Sequence, residues 1–320
     1  MTTRLEFDDL HITTTDGPPT PLVRGVSLRL ESGRILGLVG ESGSGKSLTC
    51  MAPFGLTRGG VAVTAGTVTV NGTEVSADDA AGVLGSDVGV VFQDPLASLN
   101  PLQRVGHQIA ETMQLHRGGR RSQYADDVAE LLRKVGVPDP ARRARAYPHE
   151  LSGGLRQRVM IAMALANRPG VVIADEPTTA LDVTVQAQVL ELFQIAATDL
   201  GVAILLVSHD LGVIADVADD VAVMYAGQIV EEGPCEQVLT RPQHPYTRAL
   251  LASRPTPQAG RGRLPMLPGR PPAPDQLPAG CAFQDRCDLV EDQCRTMPEL
   301  TPSEGGHVRC WVTSSSEDQS

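Results

Sequence analysis

An eight-residue stretch, GESGSGKS at residues 40–47, constrains the fold of this chain more than any other feature of its sequence. It follows the apolar run ILGLV, which predicts a buried strand, and it precedes SLTC, the start of a short helix. A strand, a glycine-rich loop and a helix in this order are typical of a phosphate-binding loop, in which glycines allow successive backbone N–H groups to face an anion. The sequence therefore predicts an α/β fold with a phosphate site at the end of a strand.

Two segments supply the first candidate site residues. In the loop, Lys46 is expected to neutralise the β- and γ-phosphates of a nucleotide, and the Ser47 hydroxyl to coordinate Mg²⁺. The apolar strand VVIA ends in Asp175, a candidate Mg²⁺ ligand, and Glu176, which is placed to polarise an attacking water. All eight loop residues are candidates for nucleotide binding: Gly40, Glu41, Ser42, Gly43, Ser44, Gly45, Lys46 and Ser47.

The remaining pattern predicts how the core is assembled. Short apolar strands, among them residues 88–93 and 203–209, alternate with helical patterns, which favours a mostly parallel sheet covered on both faces. Alternation around Asn71 and Gly72 predicts a β-hairpin. From about residue 94 to 165 the period becomes helical, with a helix expected over 122–137, so we expect a helical subdomain inserted into the α/β core.

Charge and hydropathy limit the partners and the location of the chain. The net charge of −11 argues against nucleic acid as the main partner, because phosphate-backbone binding favours a basic face. The apolar runs are much shorter than the about 20 residues that a membrane-spanning helix needs. No signal-like N-terminal stretch is visible. We therefore expect a cytosolic or peripheral protein, with any membrane role exerted through a partner.

A third segment narrows the class. Residues 151–154, LSGG, precede the helical run LRQRVMIAMALA and resemble the signature of the ATP-binding-cassette (ABC) superfamily. The resemblance implies that the nucleotide is ATP and that Ser152, Gly153 and Gly154 form a second γ-phosphate cradle at a helix N-terminus. In this superfamily that cradle closes on the ATP of a facing subunit, so that two ATPs are sandwiched in a head-to-tail dimer.

The same resemblance assigns three further residues. Gln93 matches the glutamine that contacts Mg²⁺ and links the helical insert to the core. Asp182, in ALD, matches a loop that crosses the dimer interface, and His209 matches the histidine that contacts the γ-phosphate. With Glu176, Gln93 and His209 form the implied catalytic set. The chain departs from the family pattern at Leu155, where glutamine is usual, and in DLHITTTDG, which has no aromatic residue for adenine and leaves His11 or Thr14 in that place.

A narrower resemblance points to one branch of the superfamily. VFQDPLASLNP, YPHELSGG, HPYTRALLAS and a C-terminal cysteine group together resemble the dipeptide/oligopeptide importer ATPases and their nickel-importing relatives. The resemblance implies a peripheral subunit on the cytoplasmic face of the cell membrane. Its partners would be a second ABC ATPase subunit, expected to be a paralogue, two permease subunits and, indirectly, an extracellular solute-binding protein. No nucleic acid partner is expected.

Four cysteines near the C-terminus form a separate candidate site: Cys281, Cys287, Cys294 and Cys310. Their spacing lacks the close ligand pairs that are typical of structural zinc. Four thiolates suit an iron–sulfur cluster, and the resembling importers carry a 4Fe-4S cluster in this segment. Zinc and unliganded thiols remain the alternatives.

The expected architecture is therefore an α/β P-loop NTPase of the ABC type, with a RecA-like parallel-sheet core, an antiparallel β subdomain, the helical insert and a cysteine-containing extension. We expect an ATP-binding domain at 1–235 and the extension at 236–320, with an irregular stretch at 254–278 and a disordered end, SSSEDQS. The expected function is ATP hydrolysis that energises uptake of dipeptides or oligopeptides. The alternatives are a nickel or other small-solute importer ATPase and a soluble ABC ATPase of DNA repair or translation.

Overall fold

The computed structural model describes residues 2–57, 59–253 and 267–312. Its strands fall into two sheets. In chain order they are β1 (Thr3–Thr14), β2 (Pro21–Glu31), β3 (Ile35–Val39), β4 (Val61–Val70), β5 (Thr73–Glu74), β6 (Val88–Val91), β7 (Val171–Asp175), β8 (Ala203–Ser208), β9 (Asp220–Tyr225), β10 (Gln228–Pro234), β11 (Thr301–Ser303) and β12 (Gly306–Val308).

The larger sheet has the order β11-β12-β10-β9-β3-β8-β7-β6, and its inner pairings, β9-β3, β3-β8, β8-β7 and β7-β6, are parallel. This confirms the predicted parallel-sheet core. Strands β3, β7 and β8 are buried along their whole length, which explains why they read as continuous apolar runs rather than as alternating ones.

The smaller sheet is antiparallel, in the order β2-β1-β4-β5. The predicted hairpin joins β4 to β5. Asn71 (φ 49°) and Gly72 (φ 81°) both lie in the left-handed region, as a two-residue type I′ turn requires. The sheet is the predicted antiparallel β subdomain.

The helices lie between the strands and on the faces of the larger sheet. In chain order they are α1 (Lys46–Met51), α2 (Pro95–Ser98), α3 (Val105–Arg117), α4 (Ala125–Lys134), α5 (Pro140–Arg143), α6 (Gly153–Leu165), α7 (Val183–Leu200), α8 (Leu211–Val217), α9 (Cys235–Thr240) and α10 (Pro245–Ala252). Helices α2 to α6 separate β6 from β7, where the helical insert was expected.

Two boundaries differ from the sequence prediction. The strand expected over residues 88–93 ends at Val91, because Asp94 caps α2 by accepting a hydrogen bond from the Leu96 N–H (2.8 Å) and the chain turns out of the sheet. The helix expected over residues 122–137 is a 3-10 turn, Arg121–Tyr124, followed by α4. The first difference matters for function, because it leaves Gln93 in a loop.

The core occupies both faces of the larger sheet. Neighbouring residues of one strand serve opposite faces: Val39 packs with α6 to α8, whereas Leu38 packs with α1 and the antiparallel sheet. Each buried Val, Leu or Ile of such a strand contributes about 1.5–3 kcal/mol of transfer free energy. The position of β3, and so of the loop that follows it, is fixed from both sides.

The C-terminal segment is attached to the core sheet. Strand β12 pairs with β10, with Val308 opposite Glu231 and His307 opposite Glu232. Before it, residues 267–300 form only 3-10 turns, at Pro274–Gln276, Gln284–Arg286 and Asp292–Arg295. Most of the stretch predicted to be irregular, residues 254–266, and the predicted disordered end lie outside the described residues. Within the described ranges, no helix has the length and hydropathy needed to span a bilayer.

Candidate functional site

The glycine-rich loop connects β3 to α1 and passes directly over β9. A Cβ at Gly40 would lie 2.1 Å from the backbone oxygen of Met224, and one at Gly45, whose φ is 107°, would lie 2.8 Å from the Met224 Cε. A side chain at Gly40 would displace the backbone of β9, and the left-handed φ of Gly45 disfavours any other residue there. The pattern of the loop is therefore set by its close approach to β9.

Lys46 is folded back onto the loop. Its Nζ donates to the carbonyl oxygens of Gly40 (2.7 Å) and Glu41 (3.0 Å), and it lies 3.5 Å from the Ser44 Oγ. The residue is only 5% exposed, and this burial lowers the pKa of its ammonium, although the charges of Glu176 and Asp175 oppose the shift. A buried cation held by neutral carbonyls is well prepared to exchange them for phosphate oxygens.

Ser47 and Asp175 meet at the end of β7. The Ser47 hydroxyl donates to the Asp175 Oδ1 at 2.9 Å. Burial raises the pKa of the Asp175 carboxyl, and the bond from Ser47 partly offsets this. A hydroxyl and a carboxylate oxygen side by side are hard oxygen donors of the kind that Mg²⁺ prefers.

Glu176 is the centre of the third group. Its Oε2 accepts hydrogen bonds from the Gln93 Nε2 (3.1 Å) and the Thr179 Oγ1 (2.9 Å), and its Oε1 lies 3.1 Å from the His209 Nδ1. Its backbone has φ 47°, a left-handed conformation that is costly for a side chain with a Cβ and is often found at functional sites. The structure thus brings Gln93, Glu176 and His209 together, and adds Thr179, which the sequence interpretation missed.

Ser152, Gly153, Gly154 and Asp182 lie apart from these groups. Ser152 caps α6 by accepting from the Leu155 N–H (3.4 Å), and Asp182 caps α7 by accepting from the Val185 N–H (3.0 Å). These bonds stay within the first turns of the two helices.

The two helix starts lie against each other, and one position between them is open. A Cβ at Gly154 would lie 2.5 Å from the Val185 Cγ1, whereas Gly153 has no atom within 4 Å of its Cβ position. The N-terminus of α6 thus presents an open backbone edge.

The C-terminal extension also reaches the glycine-rich loop. The Tyr246 hydroxyl accepts a hydrogen bond from the Glu41 N–H (2.8 Å), and the Arg286 guanidinium donates to both oxygens of the Glu41 carboxylate (2.7 and 3.0 Å). The backbone N–H and the carboxylate of Glu41 are therefore both engaged by the extension. In the sequence, the HPY stretch supported only the family resemblance. The available signal for this contact was a tyrosine in an apolar helix, because a buried tyrosine needs a polar partner.

The four C-terminal cysteines are gathered in one region. Cys294 is buried and the other three are half-buried; the Cys281 N–H donates to the Cys294 carbonyl at 2.9 Å. Burial raises the pKa of Cys310 to about 12, with smaller contributions from the three other thiols. In the described part of the chain, no group of three or more His, Cys, Asp or Glu side chains is arranged to hold a metal ion. The donor type suits a metal, but the thiols do not converge to ligand distances.

Comparison with known protein families gives two matches. Residues 23–179 match the family described as "ABC transporter", and residues 230–294 match "Oligopeptide/dipeptide transporter, C-terminal region". Cys281, Cys287 and Cys294 lie within the second match, and Cys310 lies beyond it.

Individual relatives agree with these families. The chain is 44% identical over 296 residues to the dipeptide transport ATP-binding protein DppD of Haemophilus influenzae, covering 91% of this chain and 90% of that protein. It is 48% identical over 308 residues to the oligopeptide transport ATP-binding protein OppD of Mycobacterium bovis. The match covers 94% of this chain but only 50% of OppD, so the chain spans about half the length of this relative.

Solved structures extend the likeness to the fold. A dimeric ATP-binding cassette in a post-hydrolysis state, bound to ADP and Pi, superimposes with a TM-score of 0.63 at 26% identity, covering 72% of this chain and 98% of that one. The cbiO1 protein of Clostridium perfringens gives a TM-score of 0.64 at 23% identity, covering 75% and 92%. The second comparison supports the fold alone.

Proposed function

This chain belongs to the ABC transporter family and, by its C-terminal region, to the oligopeptide/dipeptide branch, and from this premise we propose that it is the ATP-binding and ATP-hydrolysing subunit of a peptide importer. One observation carries the hydrolytic part. The Glu176 carboxylate is held by Gln93 and Thr179 at the end of β7, beside the pair formed by Ser47 and Asp175.

In the proposed mechanism, the glycine-rich loop and Lys46 bind the triphosphate of ATP. The backbone N–H groups around Gly43 to Lys46 and the start of α1 supply fixed donors, and Lys46 exchanges its carbonyl partners for phosphate oxygens. Ser47 and Asp175, with Gln93, would hold Mg²⁺, which when bound neutralises charge on the phosphate oxygens.

Glu176 acts as the general base in this proposal. It accepts a proton from the water that attacks the γ-phosphate, and Gln93 and Thr179 orient its Oε2. We propose that His209, whose Nδ1 lies 3.1 Å from Oε1, contacts the γ-phosphate.

The second cradle is proposed to act on another chain. Ser152 and Gly153 stand at the exposed N-terminus of α6, and Asp182 at that of α7, without hydrogen bonds to the glycine-rich loop in the described residues. A backbone edge and a helix dipole of this kind suit a phosphate of a facing subunit. We infer a head-to-tail dimer, with a paralogue as the facing ATPase subunit.

A surface next to Gln93 fits the proposed permease partners. Phe92 is 37% exposed, Leu96 56% and Leu102 86%, which is unusual for large apolar side chains that lie so close along the chain. Movement of Gln93 on nucleotide binding would be transmitted directly to this surface. We propose that two permease subunits dock here, that an extracellular solute-binding protein delivers the peptide, and that the chain works at the cytoplasmic face of the membrane.

The experiment that tests the function is reconstitution. The chain is co-purified from membranes in detergent with its attached permease and placed in proteoliposomes, and ATP-dependent uptake of a labelled dipeptide is measured. Uptake that needs ATP and stops with Glu176→Gln supports the proposal. Uptake of Ni²⁺ but not of dipeptides would favour the nickel alternative. Recovery with DNA-repair or translation components instead of a permease would overturn it, an outcome that the net charge of −11 disfavours.

An iron–sulfur cluster at the four cysteines is a separate proposal. Its support is the gathering of four thiols in a segment with little core of its own, and the donor chemistry. Burial raises the pKa values of the Cys281, Cys287 and Cys310 thiols, so a metal would have to displace protons there. Anaerobic purification with measurement of iron, zinc and visible absorbance tests it: Cys287→Ser should lose the metal and Cys235→Ser, a buried cysteine in α9, should retain it. Equal metal content in both variants would refute the assignment.

A further inference from the structure

A single arginine connects the cysteine-bearing segment to the glycine-rich loop. The Arg286 Nη1 donates to the Glu41 Oε2 at 2.7 Å and Nη2 to Oε1 at 3.0 Å, so the two groups form a bidentate pair. Such pairs fix both distance and orientation, unlike a single charge contact. The pair joins residues that are 245 positions apart in the sequence.

The pair is withdrawn from solvent. The Arg286 side chain is 5% exposed and that of Glu41 is 24% exposed, whereas the pair between Arg295 and Asp292 in the same segment is 81% and 95% exposed. Exposed pairs contribute little, but removing one partner of a buried pair leaves an uncompensated charge. The loss of Arg286 should therefore disturb its surroundings more than the loss of an exposed ion pair would.

Arg286 is itself held from several sides. Its Nε donates to the Pro268 carbonyl (2.8 Å), and its Nη1 also donates to the Tyr225 hydroxyl (3.2 Å). The guanidinium lies 5.7 Å from the ring centroids of both Tyr225 and Phe283. Because Tyr225 belongs to β9 and Phe283 to the cysteine segment, the guanidinium is fixed relative to the core sheet.

Glu41 is fixed at three of its polar groups. Its carboxylate binds Arg286, its N–H donates to the Tyr246 hydroxyl, and its carbonyl accepts from the Lys46 Nζ. Tyr246 packs against Tyr225, with ring centroids 4.6 Å apart. Glu41 is thus the point at which the C-terminal extension and the phosphate-binding lysine meet.

We propose that Arg286 is a positioning residue for ATP binding, which acts through Glu41 to set the conformation of the glycine-rich loop and the place of Lys46. The inference rests on the proposed function, since it assumes that this loop binds ATP. Arg286 touches no phosphate itself. Because it lies between Cys281 and Cys287, the folding of the cysteine segment is coupled through Arg286 to the nucleotide site.

The alternative is that the pair only fastens the extension to the core, and the two roles predict different kinetics. If Arg286 positions the loop, its loss raises the Kd and the KM for ATP, because fewer loop conformations accept the phosphates. If it only fastens the extension, its loss lowers the folded fraction and the apparent kcat, while the KM of the folded molecules is unchanged.

The test uses the 320-residue chain and MgATP, with Kd from titration calorimetry and KM and kcat from phosphate release. Arg286→Met is expected to raise the Kd and KM about tenfold and to change kcat by no more than about twofold. Arg286→Lys, which keeps the charge but not the bidentate geometry, should restore part of the affinity. Arg295→Met is the matched control and should leave the Kd unchanged.

Glu41→Gln keeps the test decisive if Arg286→Met folds poorly, because it leaves the cysteine segment intact. Glu41→Gln should raise the Kd for ATP by a similar factor. The Kd of the double variant Glu41→Gln/Arg286→Met should not exceed that of the single variant with the higher Kd. A Kd within about twofold of wild type in both folded single variants, or additive losses, overturns the inference. If wild type itself binds no ATP, the proposed function falls and the inference with it; normal wild-type binding with unaffected variants removes only the inference.

Discussion

The chain presents two loops suited to phosphate at the starts of two helices, and they differ in how they are held. The glycine-rich loop before α1 is fixed by residues from four distant parts of the chain: Met224, Asp175, Tyr246 and Arg286. In the described residues, the side-chain hydrogen bond of the LSGG loop before α6 is the local cap by Ser152, and the Cβ position of Gly153 has no atom within 4 Å. One loop is complete within the chain, and the other is an open edge.

The difference indicates what each loop needs in order to bind a phosphate. A loop that is already fixed loses little conformational entropy when it binds a ligand, so the first can bind ATP alone. The second has donors and a helix dipole but no neighbouring lysine or metal ligand in the described structure, which supports the proposal that it binds a phosphate only together with a facing chain. Variants at the two loops should therefore separate ATP binding from ATP hydrolysis.

The largest effect is expected for Glu176→Gln, which removes the proposed base without changing shape. The rate of hydrolysis should fall about 10²- to 10⁴-fold, because a positioned general base contributes about that much. ATP binding should persist, and a closed, ATP-bound dimer should accumulate in gel filtration. Glu191→Gln, at an exposed position on α7, is the control. Ordinary turnover in Glu176→Gln would refute the catalytic assignment.

The next prediction concerns the LSGG loop. Gly153→Asp introduces a side chain into free space at the start of α6, where an acidic residue favours the helix. The fold and the Kd of the isolated chain for ATP should be unchanged, while hydrolysis in the assembled dimer falls about 10²-fold, as for loss of a phosphate-stabilising donor.

Gly82→Asp, at another exposed glycine with free space around it, should have no effect on either quantity. Weakened ATP binding by the isolated Gly153→Asp chain would contradict the assignment of this loop to a facing nucleotide.

Lys46→Ala tests the glycine-rich loop. Loss of a charged donor to the phosphates should weaken ATP binding by about 1.5–3 kcal/mol, measured as the Kd by titration calorimetry. The matched control is Lys134→Ala, because Lys134 is exposed and lies near Glu130 on α4. An unchanged Kd with reduced turnover would assign Lys46 to hydrolysis alone and would remove the distinction between the two loops.

The smallest effect is a dependence of stability on pH, caused by His244 in the helix that carries Tyr246. His244 caps α10 by accepting from the Tyr246 N–H, and burial lowers its pKa to about 3. An unfolded histidine titrates near 6.5, so between pH 6.5 and 3 the unfolded chain binds the additional proton and stability falls as the pH falls. His244 should therefore remove about 1.4 kcal/mol of the free energy of unfolding per pH unit in this range.

Denaturant unfolding at pH 4.5–6.5 measures this slope. His244→Asn keeps a cap but has no titrating ring, so its stability should depend less on pH by that amount. His107→Asn, at an exposed position on α3, should retain the wild-type slope. Identical slopes in all three proteins would show that His244 does not contribute to acid sensitivity.

The residues along the chain were enough to predict the local features: the order of strand, loop and helix around residues 40–47, the Asn71–Gly72 hairpin and the buried strands that lead to Asp175 and His209. These follow from backbone requirements and from apolar runs, which are properties of neighbouring residues. Short motifs also indicated the family, because each motif holds the residues for one task, such as phosphate binding, within a few positions of one another.

The contacts that hold the site together became visible only in the folded chain. Thr179, in the turn after β7, donates a hydrogen bond to Glu176. Arg286 and Tyr246, which belong to the C-terminal extension, form hydrogen bonds with Glu41. The folded chain also showed that the four cysteines lie near one another without converging on a common centre. The physical reason is that contacts between distant residues depend on how whole elements pack, and no period or spacing in the sequence encodes such a distance.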